Sequence, residues 1–156
     1  MNIRRIKEED ADGVLKLLVQ VNNVHSKNRP DLFIKNKTKY TRDELLVLMK
    51  DDNCPIFVAV DEKEQVLGYA FCVYQSHVED NNFPDIVTMY IDDICVDVNC
   101  RGRHVGTALY EYVKTYAKEN GCYNVTLNVW DKNDAAMAFY EKCGFHIQKY
   151  GMEVIL

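Results

Sequence analysis

Several things are missing from this sequence, and each absence excludes a class of protein. Its six cysteines, Cys54, Cys72, Cys95, Cys100, Cys122 and Cys143, form no CxxC pair and no Cys/His cluster with zinc-finger spacing, so no metal site is expected. Cys72 and Cys95 sit in apolar runs, where a free thiol acts as a small hydrophobe, and reduced thiols are the default in a cytosolic chain. No apolar run approaches the ~20 residues of a membrane span. The opening Met1–Ile6 is basic and lacks the apolar stretch of a signal peptide. A cytoplasmic protein with no membrane partner is expected. Positive charge is in deficit too: the formal net charge is -5, which gives no support to a nucleic-acid partner and is mildly compatible with a cationic substrate. There is no internal repeat, low-complexity tract or linker, so residues 1–156 are expected to form one domain.

What is present is an ordinary globular composition, 47% hydrophobic and 28% charged. Met1–Ile6 predicts a short strand. Val14, Leu17, Leu18 and Val21 recur at helical spacing after Glu8, Glu9 and Asp10, which predicts a helix over 8–21. Residues 22–40 are polar, contain Pro30 and read as a loop. Thr41 with Glu44 three residues on forms a capping box for a second helix. Strands are expected over 55–60, 66–78 and 86–98, separated by the polar turns 61–64 and 80–85. Val105, Ala108, Leu109, Tyr112, Val113, Tyr116 and Ala117 mark a helix over 105–119 that Gly121 terminates. A strand over 123–129, a helix over 134–142 stopped by Gly144, and one or two closing strands over 145–156 complete the chain. The order β-α-α-β-β-β-α-β-α-β(-β) implies an α/β fold with a mixed, mostly antiparallel sheet and flanking helices.

Two segments carry chemistry. In the first, a strand ends at Val96–Asp97 and the turn Arg101-Gly102-Arg103-His104-Val105-Gly106-Thr107 opens a helix. Backbone N–H groups and the helix N-terminus form an anion site there, the arginines add charge-assisted bonds to phosphate, and the glycines allow close approach. A plain strand-to-helix turn with exposed arginines is the competing explanation. The GxGxxG fingerprint and the Walker lysine are both lacking, which disfavours a dehydrogenase or a kinase. In the second segment, a strand ending near Trp130 leads through a polar loop to a helix carrying Phe139 and Tyr140. Phe139 reads as core, whereas the Tyr140 phenol suits a cleft.

Together, in this order and spacing, the two segments resemble the GNAT superfamily of N-acetyltransferases. The first resembles its motif [Q/R]-x-x-G-x-[G/A], with Arg101 in the first position and Gly106 in the last. The second resembles N-x-x-A-x-x-x-Y-x-x-x-G-F, with Asn133, Ala136, Tyr140, Gly144 and Phe145 matching one by one. His104 departs from the pattern, standing where the motif has its middle glycine. A right-handed helical backbone there would accommodate it and keep its N–H available.

The resemblance implies acetyl-CoA as co-substrate. Arg101, Gly102, Arg103, His104, Val105, Gly106, Thr107, Asn133 and Ala136 would surround it, and the backbone at Cys95 and Val96 would hold the pantetheine arm. It gives Tyr140 the general-acid role beside the coenzyme sulfur. Polyamine acetyltransferases carry an acidic pair ahead of the first motif, and by that similarity Asp92 is the expected base. Asp93, adjacent on the strand, is expected to face the other way. His25, Arg29 and Asp31 fall in the loop that lines the acceptor site in this fold. Tyr74 and Tyr90 are further candidate walls; His77 is ambiguous, and Trp130 reads first as core and second as a wall. The implied activity is acetyl transfer to a small, polyamine-like primary amine. A protein N-terminal or lysine acetyltransferase and a non-catalytic acyl-CoA-binding module are the alternatives. Homodimers are frequent in the family.

Overall fold

The computed structural model describes residues 1–76 and 84–156. Its elements are β1 (Asn2–Arg5), α1 (Ala11–Asn28), α2 (Arg42–Leu48), β2 (Ile56–Val60), β3 (Val66–Ser76), β4 (Val87–Val96), α3 (Val105–Glu119), β5 (Asn124–Leu127) and α4 (Asp134–Lys142). His77, the end of the strand expected over 66–78 and most of the turn expected over 80–85 lie outside the described residues.

The five strands form one sheet in the order β1-β2-β3-β4-β5. The first four are antiparallel, and β4 and β5 run parallel. The mixed, mostly antiparallel sheet read from the sequence is therefore the one observed. Side chains alternate across each strand, so an all-apolar strand must be covered on both faces. Strand β2 illustrates this: Ile56, Val58 and Val60 join Val14, Leu17, Leu18 and Leu45 of α1 and α2, while Phe57 and Ala59 join Val105, Leu109, Val113 and Ala117 of α3. Asp10, buried just before α1, is held by Arg4 of β1 at 2.6 Å, which ties the first strand to the first helix.

Helix α2 starts as predicted, with the Thr41 hydroxyl accepting from the Glu44 N–H and the Glu44 carboxylate accepting from the Thr41 N–H. Helix α3 has the bounds its apolar stripe predicts. Two expectations fail. Helix α1 continues to Asn28, through residues read as loop. Its polar end is anchored by outward bonds: Asn22 donates to the Ile34 carbonyl, and Asn23 bonds the backbone and side chain of Asn36. Pro30 then prevents continuation. The closing strands expected over 145–156 do not form; this segment joins no sheet.

Candidate active site

The site arises where β4 leaves β5. The parallel pairing runs Thr88↔Asn124 to Ile91↔Leu127 and stops. Strand β4 continues to Val96, paired only with β3. A wedge opens between the two strands, and the backbone of 92–96 along its side has no β5 partner. Amides in such a position need acceptors.

The β3–β4 register shifts at the same place. Phe71 pairs with Asp93 and Cys72 with Ile91, leaving Asp92 as the extra residue of a bulge. Met89 and Ile91 therefore face α3, and so do Ile94 and Val96, whereas Cys95 faces α1 and α2. The bulge overturns the expectation that the two acids point apart. Asp92 reaches Lys39 of the loop before α2, Nζ to Oδ2 2.5 Å. Asp93 accepts a hydrogen bond of 2.7 Å from the hydroxyl of Tyr69, a residue of the core on the same face.

The two acids have different environments. Asp92 is neutralised by the Lys39 ammonium, whose own pKa is held up by that carboxylate against the opposing effect of burial. Asp93 is half-buried, and desolvation pushes its carboxyl up to about 6 despite the bond from Tyr69 and the charge of Lys39. Burial also raises the phenol of Tyr140, and the negative charge of Asp93 raises it further, so these two groups share one electrostatic neighbourhood. The Cys95 thiol is pushed up to about 12 by burial and by Asp93. It is an inert core thiol, and only its backbone borders the wedge.

Tyr140 is carried by α4, whose N-terminus is capped by the Asn133 side chain accepting from the Ala136 N–H. Two residues expected around the coenzyme thus have a structural task in starting that helix. Gly144, at a left-handed φ of 91°, ends it, and Phe145 folds back against Tyr140 and Tyr110 with ring centroids 5.6 and 5.1 Å apart.

Beyond β4 the chain makes a short turn and enters α3. Arg101, Gly102, Arg103 and His104 are exposed around the helix start, where the first-turn amides have no intrahelical partner. Gly106 has a packing reason as well: a Cβ there would sit 3.3 Å from the ring of Phe139, so the glycine lets α4 close against α3. His104 is not right-handed helical. It has φ 62° and ψ 13°, the left-handed region, and makes no side-chain cap. The turn requires the conformation that the glycine of the motif would supply without strain.

A cluster of rings lies at the end of α1 and beyond β5. His25, placed on α1 and not in a loop, lies 5.1 Å from Phe33, which meets Trp130 edge-on at 5.4 Å. Burial lowers the pKa of His25, whose Nδ1 has no hydrogen-bond partner among the described residues. Arg29 lies 6.0 Å over the Trp130 ring and pairs with Asp31 and Glu153. Trp130 is exposed and is therefore not core. Asn28 donates to the Lys132 carbonyl, linking the end of α1 to the loop before α4. Tyr90 accepts from Asn128 at 3.1 Å, beside the point where the strands separate. Tyr74 is not brought to the site: it packs on the α3 face in the same cluster as Tyr116. Sequence reasoning missed Tyr69, Lys39 and Phe33.

The family model described as Acetyltransferase (GNAT) family matches residues 9–145. An uncharacterized N-acetyltransferase of Methanocaldococcus jannaschii is 31% identical over 144 residues, 92% of this chain and 59% of that protein. A probable glucosamine 6-phosphate N-acetyltransferase of Drosophila melanogaster is 27% identical over 147 residues, 93% of this chain and 60% of that protein. The chain thus spans about three-fifths of the length of these two relatives. Among solved structures, a mutant of a Bacillus halodurans protein superposes with a TM-score of 0.94 at 31% identity, covering 100% of this chain and 99% of that one.

Proposed function

The chain belongs to the GNAT acetyltransferase family, and from that premise we propose that it moves an acetyl group from acetyl-CoA to the nitrogen of a small primary amine. The observation that carries this proposal is the end of the β4–β5 pairing at Ile91 and Leu127, which leaves the backbone of 92–96 without a β5 partner one strand-end away from the anion cradle at 101–107. The cradle suits a pyrophosphate, and the unpaired side of β4 at 93–96 suits the amides of a pantetheine arm and the polarisation of a thioester carbonyl.

Acyl transfer to an amine needs a neutral nucleophile and a protonated leaving thiolate. Asp93 is our candidate for the base, in place of Asp92. A carboxyl at about 6 is ionised at neutral pH, yet it is a stronger base than an ordinary aspartate and has no ammonium partner of its own. It takes the proton of the incoming ammonium. The amine attacks, the C–N bond forms, the C–S bond breaks, and the sulfur takes a proton from Tyr140. The raised pKa of that phenol keeps it protonated until then. The acylated nitrogen gives up its second proton, which restores the phenol, and the proton held on Asp93 leaves to solvent.

The acceptor wall bears on substrate class. Asp92 is paired with Lys39, and Asp31 and Glu153 with Arg29. Asp92, one acid of the pair that suggested a polyamine, is thus neutralised from within, so we favour a small amine of modest charge, the amino sugar of the Drosophila relative's name being one such type. The test is thiol release from acetyl-CoA against polyamines, amino sugars and their phosphates, amino acids and lysine peptides. Turnover with a small amine is expected. Turnover confined to peptides would replace the acceptor class, and tight CoA binding without any turnover would leave a binding module. In the same assay Tyr140→Phe should lower kcat by roughly 10²-fold or more with CoA affinity retained; an unchanged kcat removes Tyr140 from its role.

A further inference from the structure

Asp92 is the first residue of β4 beyond the last β4–β5 pair, and the bulge makes it the extra residue there. It therefore stands where the two strands part. The ammonium that meets it belongs to Lys39, 53 residues away in sequence on the loop before α2. The same ammonium lies over the ring of Tyr40, 5.5 Å from its centroid. A carboxylate on one side and an aromatic face on the other are the two elements that bind an organic cation. Both are held in place. Tyr40 stacks on Phe71 of β3, with centroids 5.7 Å apart and planes 18° from parallel, and Phe71 meets Tyr69, whose hydroxyl holds Asp93. The Tyr40 N–H donates to the Thr38 hydroxyl at 3.0 Å, which fixes the turn that carries Lys39. The Asp92 side chain is 25% exposed and that of Lys39 is 50% exposed. The acid and the ring belong to the scaffold, and the lysine on its flexible stem is the movable part.

The end of a lysine is an alkylammonium, so the chain carries a ligand of its own in this position. An ion pair this accessible to water adds little to folding stability. Its consequence is for recognition. An acceptor with one ammonium needs one acid, which is Asp93 in the proposed reaction. A diamine or polyamine brings a second ammonium, and the second acid on the strand is Asp92. With Lys39 in place that acid has no charge to offer, and the second ammonium would meet another ammonium. Rejection of the wrong substrate by a repulsive group is a common source of specificity.

We propose that Asp92 and the ring of Tyr40 form a cation site, that Lys39 fills it as a built-in ligand, and that this selects acceptors with a single ammonium over diamines and polyamines. The selection rests on the acetyl-transfer reading, whereas the site does not, so the first measurement is binding without turnover. By calorimetry on the full chain, Lys39→Ala should bind spermidine roughly 10-fold more tightly than the wild type. Lys39→Arg, which keeps the charge, should match the wild type. So should Lys37→Ala, which alters the net charge equally but leaves Asp92 covered. An affinity for spermidine that Lys39→Ala leaves unchanged, or that Lys37→Ala raises as much, overturns the site. If Lys39→Ala fails to fold, Lys39→Gln removes the charge while keeping the stem on Tyr40, and the same outcomes apply. The second measurement is the ratio of kcat/KM for spermidine to that for glucosamine. It should rise roughly 10-fold in Lys39→Ala, and added propylammonium, which replaces the atoms removed, should bring it back. An unchanged ratio, or a wild type that already prefers spermidine, overturns the selection. Absence of turnover with every amine would sink the acetyl-transfer reading and the selection that rests on it, while the calorimetry still decides the site.

Discussion

The two sides of the wedge are built differently. On the β1–β4 side, α1 buries Ala11, Val14, Leu17 and Leu18, and α3 buries Val105, Leu109, Tyr110, Val113 and Ala117. Every residue of β2 is buried. On the other side, β5 has only half-buried residues and α4 has no buried residue at all. Asp93 stands on the packed side and Tyr140 on the open one. The proposed reaction, which would admit a coenzyme between two strands, gains from this contrast. One wall fixes Asp93, the proposed base, and its hydrogen bond, while the other has few buried contacts to lose when it shifts, and regions of that kind have the lowest local stability.

The largest expected effect breaks the chemistry on the packed side. Asp93→Asn keeps the shape and the acceptor for Tyr69 but removes the base, so kcat/KM should fall by roughly 10²- to 10⁴-fold. The same change should stabilise the fold at high pH. The carboxyl of Asp93 is raised from 3.8 to about 6 on folding, so the folded state binds the proton more tightly than the unfolded one. Stability is therefore lost as pH rises through that window and stays reduced above it. Melting of the variant should exceed the wild type at pH 8 and converge with it below about pH 4, the ordinary aspartate range. A variant less stable at pH 8, or a full-strength enzyme, refutes the assignment.

Packing comes next. Leu109→Ala empties a fully buried position on α3 and should cost about 2–5 kcal/mol. Met137→Ala on α4, where the side chain is 36% exposed, should cost under about 1 kcal/mol. Chemical denaturation of both variants measures the contrast, and equal losses would mean that α4 is covered as well as α3.

A smaller effect tests how Asp93 is held. The Tyr69 hydroxyl donates to the ionised carboxylate and so opposes the upward shift that burial causes. Tyr69→Phe removes that donor, and the acid limb of the pH–rate profile should move to higher pH by about one unit, worth about 1.4 kcal/mol. A limb that moves down or stays would show that another group sets it.

Local signals made much of the fold legible. The stripe of α3, the box at Thr41 and Glu44, and the helix between Asn133 and Gly144 depend on neighbours in sequence. The length of α1 was hidden because Asn22 and Asn23 read as loop formers, while their partners, Ile34 and Asn36, lie over ten residues away. The bulge left a trace that period-two reading passes over: Met89 and Ile91, then Ile94 and Val96, are apolar with one residue too many between the pairs. That extra residue is Asp92, and it changes which acid is available. Tyr69 gave no sign at all, since an aromatic in an apolar strand reads as core until its hydroxyl is seen to meet Asp93. The C-terminal segment read as closing strands, yet residues 145–156 join no sheet.

The smallest effect falls at His104, on the border between the two sides. Its left-handed backbone costs a residue with a Cβ about 1–2 kcal/mol, and histidine tolerates the region better than most. Glycine relieves this strain but loses more conformational freedom on folding, by about 0.5–1 kcal/mol. His104→Gly should therefore stabilise by under about 1 kcal/mol, a rise in Tm of about 2 °C for a chain this size. His104→Ala separates the two contributions of the residue, because it removes the imidazole and keeps the strain. Tm should rise only for glycine. CoA affinity should change in both variants if the imidazole meets phosphate, and in glycine alone if the backbone amides are what the strain misplaces. A glycine variant that melts lower than the wild type would mean that the imidazole, and not the turn, holds the start of α3.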